Sequence, residues 1–236
     1  MSNKSAFILG GFVFLGLILT GLIIGNTAVK VKEYERTVNV KGLSEREYEA
    51  NIVIWPIRFS EANNDIGALY SSIESNTKRI VSFLKNNGIQ SSEISISAPD
   101  VIDKMAQQYG GSDYGRFRYT STQSITVYSE NIKTVRATMS KLSELGKAGI
   151  VFRSDDYDIR PEYIFTNLNE VKPEMIEEAT KKAREVAEKF AADSQSKLGK
   201  IKRASQGQFS INERDRNNPH IKKVRVVASL TYYLSD

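Results

Sequence analysis

Glu45, Glu47 and Glu49 stand at alternate positions in the stretch 40–59, VKGLSEREYEANIVIWPIRF, with Arg46 and Tyr48 between them. An extended chain sends alternate side chains to one face, so three carboxylates would line one side of a strand. Such a row is the raw material of acid–base catalysis or of a divalent-cation site. Catalysis needs burial or a close partner to move a carboxyl pKa into a useful range. The opposite face of the segment offers Arg46 and Tyr48 rather than an apolar wall. The row therefore reads as the solvated side of a sheet.

Other routes to chemistry are narrow. The chain has no cysteine, which removes disulfides, thiolate nucleophiles and zinc–thiolate sites. Its one histidine, His220, follows Asn217-Asn218-Pro219, and no partner for a triad or relay is legible beside it. Ser154-Asp155-Asp156-Tyr157-Asp158 lacks the spacing that wraps oxygens round calcium. Ser75-Asn76-Thr77-Lys78 and Ser194-Gln195-Ser196-Lys197 match S-x-x-K, without the companion elements that give that pattern meaning. No phosphate-binding glycine loop is present. The expectation is a protein that is not an enzyme, with no catalytic, cofactor-binding or metal-ligating residue assigned and no cofactor implied.

Two stretches suggest contact instead. Tyr109, Tyr114, Arg116, Phe117, Arg118 and Tyr119 resemble a platform for stacking single-stranded nucleic acid. Cross-strand aromatic pairing in a hairpin explains them as well, and a subunit or partner contact is the reading preferred; no nucleic acid is expected. From Lys197 to Arg225 nine Lys/Arg face two acids, about +7 of a total of +5, so the rest of the chain is close to neutral. Lys200, Lys202, Arg203, Lys222, Lys223 and Arg225 would form its basic surface, open to anionic lipid or an acidic protein partner. No small-molecule ligand is identified.

The elements that position these groups follow from periodicity. Ala6 to Gly25 is apolar throughout, with one hydroxyl, Thr20. At 1.5 Å per residue it spans the ~30 Å core of a bilayer. A secretory signal has a shorter core, and Asn26-Thr27-Ala28 is a poor cleavage site, so residues 1–28 read as an uncleaved anchor. Flanking charges do not orient it. A linker at 29–36 leads to the strand TVNVKG, whose Gly42 permits a turn. Ile52–Phe59 is a strand; Pro56 calls for an edge or a bulge. Asn63, Asn64 or Asp65 caps a helix that ends at Asn86-Asn87-Gly88. Strands at about 92–104 and 116–129, a helix at 131–145, a strand from 149 and a helix from Pro173 to Leu198 come next. The last helix carries the pairs Glu177–Lys181, Glu178–Lys182 and Glu185–Lys189. Strands at about 200–211 and 221–234 close the chain. The expected class is α+β: duplicated strand-helix-strand-strand units, about 50–129 and 149–234, forming antiparallel sheet with helices packed on it.

Several stretches resemble one family. Val38-Asn39-Val40-Lys41-Gly42 resembles the opening strand and glycine of the SIMPL domain family. Leu84-Lys85-Asn86-Asn87-Gly88-Ile89 is similar to its helix-end turn. Tyr119-Thr120-Ser121-Thr122-Gln123 is similar to the strand that follows. Leu198-Gly199-Lys200-Ile201, after the alanine-rich helix, is the most specific match. Tyr48-Glu49-Ala50 departs from the family, which often has proline–aspartate there. The resemblance covers about residues 35–236, with the SIMPL-like domain itself at 37–236 after the linker. It implies an α+β envelope protein akin to periplasmic immunogenic and oxidative-stress defence proteins, with no agreed catalytic residues and with homo-oligomers among its members. The expectation is a single-pass protein of the bacterial inner membrane, its soluble part in the periplasm or otherwise outside the cytoplasm. It would self-assemble, with a protective role under envelope or oxidative stress.

Overall fold

Strand β2 (Ile52–Asn63) turns Val53, Trp55, Ile57 and Phe59 to one side, and all four are buried. Period-2 alternation of apolar residues gives a strand one dry face. A computed structural model describes residues 3–33, 36–106, 116–153 and 160–235. The chain divides into two compact units: residues 1–46, 170–210 and 224–236 form unit 1, and residues 47–169 and 211–223 form unit 2.

In unit 2, β2 pairs antiparallel with β5 (Tyr119–Ser129) along its whole length, Val53 opposite Ser129 and Asn63 opposite Tyr119. β3 (Ile94–Ile96) and β4 (Asp100–Asp103) pair with the far edge of β5. β6 (Val151–Phe152) and β7 (Glu162–Ile164) pair with the far edge of β2. Helix α2 (Ile66–Asn86) lays Leu69, Ile73, Ile80 and Leu84 on the dry face with Ile125 and Val127. Asp65 caps it, accepting from the Ala68 amide at 2.7 Å, and Gly88 follows at φ +91°, the left-handed turn expected there.

Pro56 departs from expectation, because β2 is central rather than an edge. The Arg58 carbonyl accepts from the Arg153 amide at 2.9 Å, on the β6 side. Polar groups two residues apart point the same way, so the missing Pro56 donor faces that side too. There it falls between the β7 pairing, which ends at Ile54, and the β6 pairing, which begins at Phe59. The strand expected at 92–104 is broken: Ser91–Glu93 forms a 3₁₀ turn, and Pro99 separates β3 from β4. The helix expected at 131–145 is two, α3 (Ile132–Met139) and α4 (Ser143–Lys147). The Thr138 and Ser140 hydroxyls donate back to the Thr134 and Ala137 carbonyls, which weakens continuation of the ladder. Ser154–Asp158 lies outside the described residues.

In unit 1, helix α1 (Asn3–Glu33) contains Gly10–Ala28, 19 residues long and apolar enough to cross a membrane, none of them buried. β1 (Thr37–Glu49) begins four residues after the end of α1 and runs through Gly42 without a turn. The strand ends at Glu49, and a bend at Asn51 precedes β2. β10 (Ile221–Ser235), which enters unit 1 at Val224, lies between β1 and β8 (Lys197–Gln206); β9 (Ser210–Glu213), which falls in unit 2 from Ile211 on, also pairs with β10. Helix α5 (Leu168–Asp193) starts about a turn before Pro173, since a proline removes only its own donor. Its buried stripe Met175, Ala179, Ala183, Ala187 and Ala191 recurs every four residues. Val40, Leu230 and Tyr232 pack against Ala183 and Ala187. α5 stops at Asp193 because Gln195 takes φ +56°, letting the Ser196 amide reach the Ala191 carbonyl at 2.8 Å.

Candidate functional site

The acidic row sits on the wet side of β1. Glu45, Glu47 and Glu49 are exposed, while Ser44 is buried and Arg46 and Tyr48 are half-buried on the other face. That inner face holds the network no spacing rule announced. Glu178 on α5 accepts from the Ser44 hydroxyl at 2.9 Å, from Arg46 Nε at 2.9 Å and from Lys182 Nζ at 2.6 Å. Arg46 Nη1 reaches Glu174 at 2.7 Å. Lys182, then Ser44 and Arg46, hold the Glu178 carboxyl down at about 2. A carboxylate kept charged by two cations is a strut between strand and helix, unsuited to proton transfer near neutrality. The sequence signal for it was half visible: Glu178–Lys182 forms as expected, as does Glu177–Lys181 at 2.7 Å. Glu185 and Lys189 make no ion pair; Arg184–Glu188 closes at 2.8 Å instead.

Around β4 and β5 the described residues are Arg116, Phe117, Arg118 and Tyr119; Tyr109 and Tyr114 lie outside them. Arg118 forks onto Asp103, Nη2 to Oδ2 at 2.8 Å and Nε to Oδ1 at 3.1 Å, and its guanidinium lies 4.8 Å from the Tyr119 ring centroid. Its amide donates to Asn64 Oδ1 at 2.8 Å. Arg118 holds the Asp103 carboxyl below its usual range. Two of its three guanidinium nitrogens, Nε and Nη2, are spent closing the base of a hairpin. Phe117 remains 39% exposed. Beside it an open cleft of about 550 Å³ is lined by Glu61, Asp100, Ile102, Thr122 and Arg153 among others. Glu61 there accepts from the Asn76 amide.

The basic run does not make one surface. Lys200, Lys202 and Arg203 are exposed on β8, and Lys202 Nζ lies 5.2 Å from the Tyr233 ring centroid. Arg225 is exposed on β10 and Lys223 is half-buried. Lys222 is 7% exposed with its ammonium 3.4 Å from Glu213, so it drops out of any accessible basic surface. Position in the pleat decides this: Lys222 falls on the same side of β10 as buried Val224 and Val226.

His220 is half-buried in unit 2, between the buried Tyr163 and the exposed Arg136. Its Nε2 is 2.8 Å from Arg136 Nη1, and its ring lies 6.0 Å from that of Tyr163, tilted by 60°. Arginine only donates, so Nε2 accepts and the proton sits on Nδ1, which is buried without a partner. Burial, then the Arg136 charge, pushes the imidazole below 6.5. Among the described residues no three His, Asp or Glu groups gather as a metal site would require.

A comparison with curated proteins finds no match. A family model described as SIMPL, a protein of unknown function (DUF541), matches residues 38–230. That span takes in the opening strand with Gly42, helix α2, the hairpin strands and most of β10, and on it the chain belongs to the SIMPL family.

Proposed function

We propose that this chain is a membrane-anchored, non-enzymatic protein of the bacterial envelope whose folded part self-associates into a homo-oligomer. The observation that carries the anchor is α1: its 19-residue apolar stretch is wholly unburied and leads within a few residues into β1. Apolar surface of that extent is stable in lipid, not in water. We place the anchor in the inner membrane and the folded part in the periplasm; the family resemblance is the support for this and for a protective role under oxidative stress.

Self-association is supported by apolar groups left open in unit 1. Val186 and Phe190, 41% and 56% exposed, continue the α5 row of Glu178 and Lys182 at four-residue spacing, the row that Ser44 and Arg46 of β1 meet. β1 and β8 are edge strands of their sheet, and edges with open backbone groups invite pairing. Light scattering on the detergent-solubilised full-length protein should give a multiple of the protomer mass. Val186→Glu with Phe190→Glu should lower it, and a monomer at every concentration overturns the reading.

Strand order supports the duplication as well. β2, α2, β4 and β5 put β5 beside β2; β1, α5, β8 and β10 put β10 beside β1. Read this way, the second copy takes β1 as its first strand in place of the segment from 149.

A further inference from the structure

We propose that Lys200, Lys202 and Arg203 on β8 lie against the anionic phospholipid headgroups of the bilayer that α1 enters. This rests on the anchor reading above. The apolar stretch ends at Ala28 and α1 continues to Glu33, about 8 Å further at 1.5 Å per residue. Three more residues reach Arg36, adding at most ~10 Å. The Arg36 carbonyl accepts from the Leu234 amide at 2.9 Å, which ties that end of β10 to the start of β1. On its other side β10 pairs there with β8, Leu234 opposite Leu198 and Tyr232 opposite Ile201. Arg36 is thus within ~18 Å of the hydrocarbon boundary, and Lys200, two residues in from the Leu198–Leu234 pair, sits near that same end of the sheet, up to ~7 Å further along the strand direction. The headgroup layer fills the first ~5–8 Å of that gap, and the Debye length adds about 8 Å.

The chemistry at this end suits a lipid surface. Lys202 lies over the ring of Tyr233, a half-buried aromatic with a polar tip, the side-chain type enriched at membrane interfaces. Ile201 between the cations is 48% exposed. Asp193, at the end of α5, is the described carboxylate nearest in sequence to β8. Each Lys or Arg near an anionic bilayer strengthens attachment roughly fivefold. Unit 1 also contains the control. Arg225 precedes Leu234 by nine residues on β10, about 30 Å at 3.3 Å per residue, several Debye lengths further away.

The test is hydrogen exchange by mass spectrometry on the full-length protein in nanodiscs, either zwitterionic or containing phosphatidylglycerol. Amides of β8 should exchange several-fold more slowly in the anionic discs. That gain should vanish at high salt and in Lys200→Glu/Lys202→Glu, weaken in Lys200→Gln/Lys202→Gln, and persist in Arg225→Glu. Equal β8 exchange in the two disc types overturns the proposal, as does an equal loss in Arg225→Glu. β8 protection conferred by a soluble polyanion but by neither disc would show an acidic partner instead and also overturn it. Failure of the anchor reads differently: intact mass would show a chain lacking residues 1–28, which sinks both.

Discussion

Gly42 of β1 lies against the backbone of α5: a Cβ placed on it would stand 1.9 Å from the Ala179 carbonyl oxygen and 2.5 Å from the Ala183 nitrogen. Neither atom is a side-chain end that can swing away. The glycine is thus required by close approach of helix to strand, with its backbone in ordinary extended conformation.

Gly42→Ala should lower stability by about 1–3 kcal/mol through overpacking. Urea denaturation followed by circular dichroism measures it. A variant as stable as the parent would mean that α5 does not rest on β1 at this point.

The Glu178 carboxyl is held at about 2, below its ordinary 4.5, by Lys182, Ser44 and Arg46. A depressed carboxyl pKa contributes stability that is fully present above about 4.5 and is lost as pH falls toward 2. The parent should therefore lose denaturation midpoint through that window more steeply than Glu178→Gln. Near pH 7, Glu178→Gln should cost about 1 kcal/mol, since solvent screens the site. Parallel pH profiles would refute the strut.

His220 is the only histidine, so its ring protons are unambiguous in a proton NMR titration. Burial and Arg136 predict a midpoint below the ordinary 6.5. With a lowered folded pKa the unfolded chain binds the proton more readily, so stability is full above about 6.5 and declines as pH falls through the folded pKa. A midpoint at or above 6.5 would contradict the Arg136 contact.

Gln195 holds a left-handed backbone at the end of α5 that an L side chain adopts at a penalty. Gln195→Gly should raise stability by about 1 kcal/mol, read as a higher Tm. No gain would mean the helix end is not fixed in this turn.

Period and composition were enough for the elements that bury one face. The apolar run of α1, the alternation of Ile52–Phe59 and the helical spacing of Leu69, Ile73, Ile80 and Leu84 are local patterns, so the α+β class and the antiparallel hairpin strands could be read from the sequence. The wet side of the Glu45–Glu49 strand was legible for the same reason. Tertiary contact decided the rest. Gly42 looks like a turn until α5 is laid on it, because an absent Cβ serves a bend and a close approach equally. Pro56 looks like an edge residue, yet a central strand accommodates it where two short neighbours leave a gap. One run of basic residues became an exposed β8 group and a buried Lys222 because pleat and pairing, fixed by partners far along the chain, choose which charges meet water.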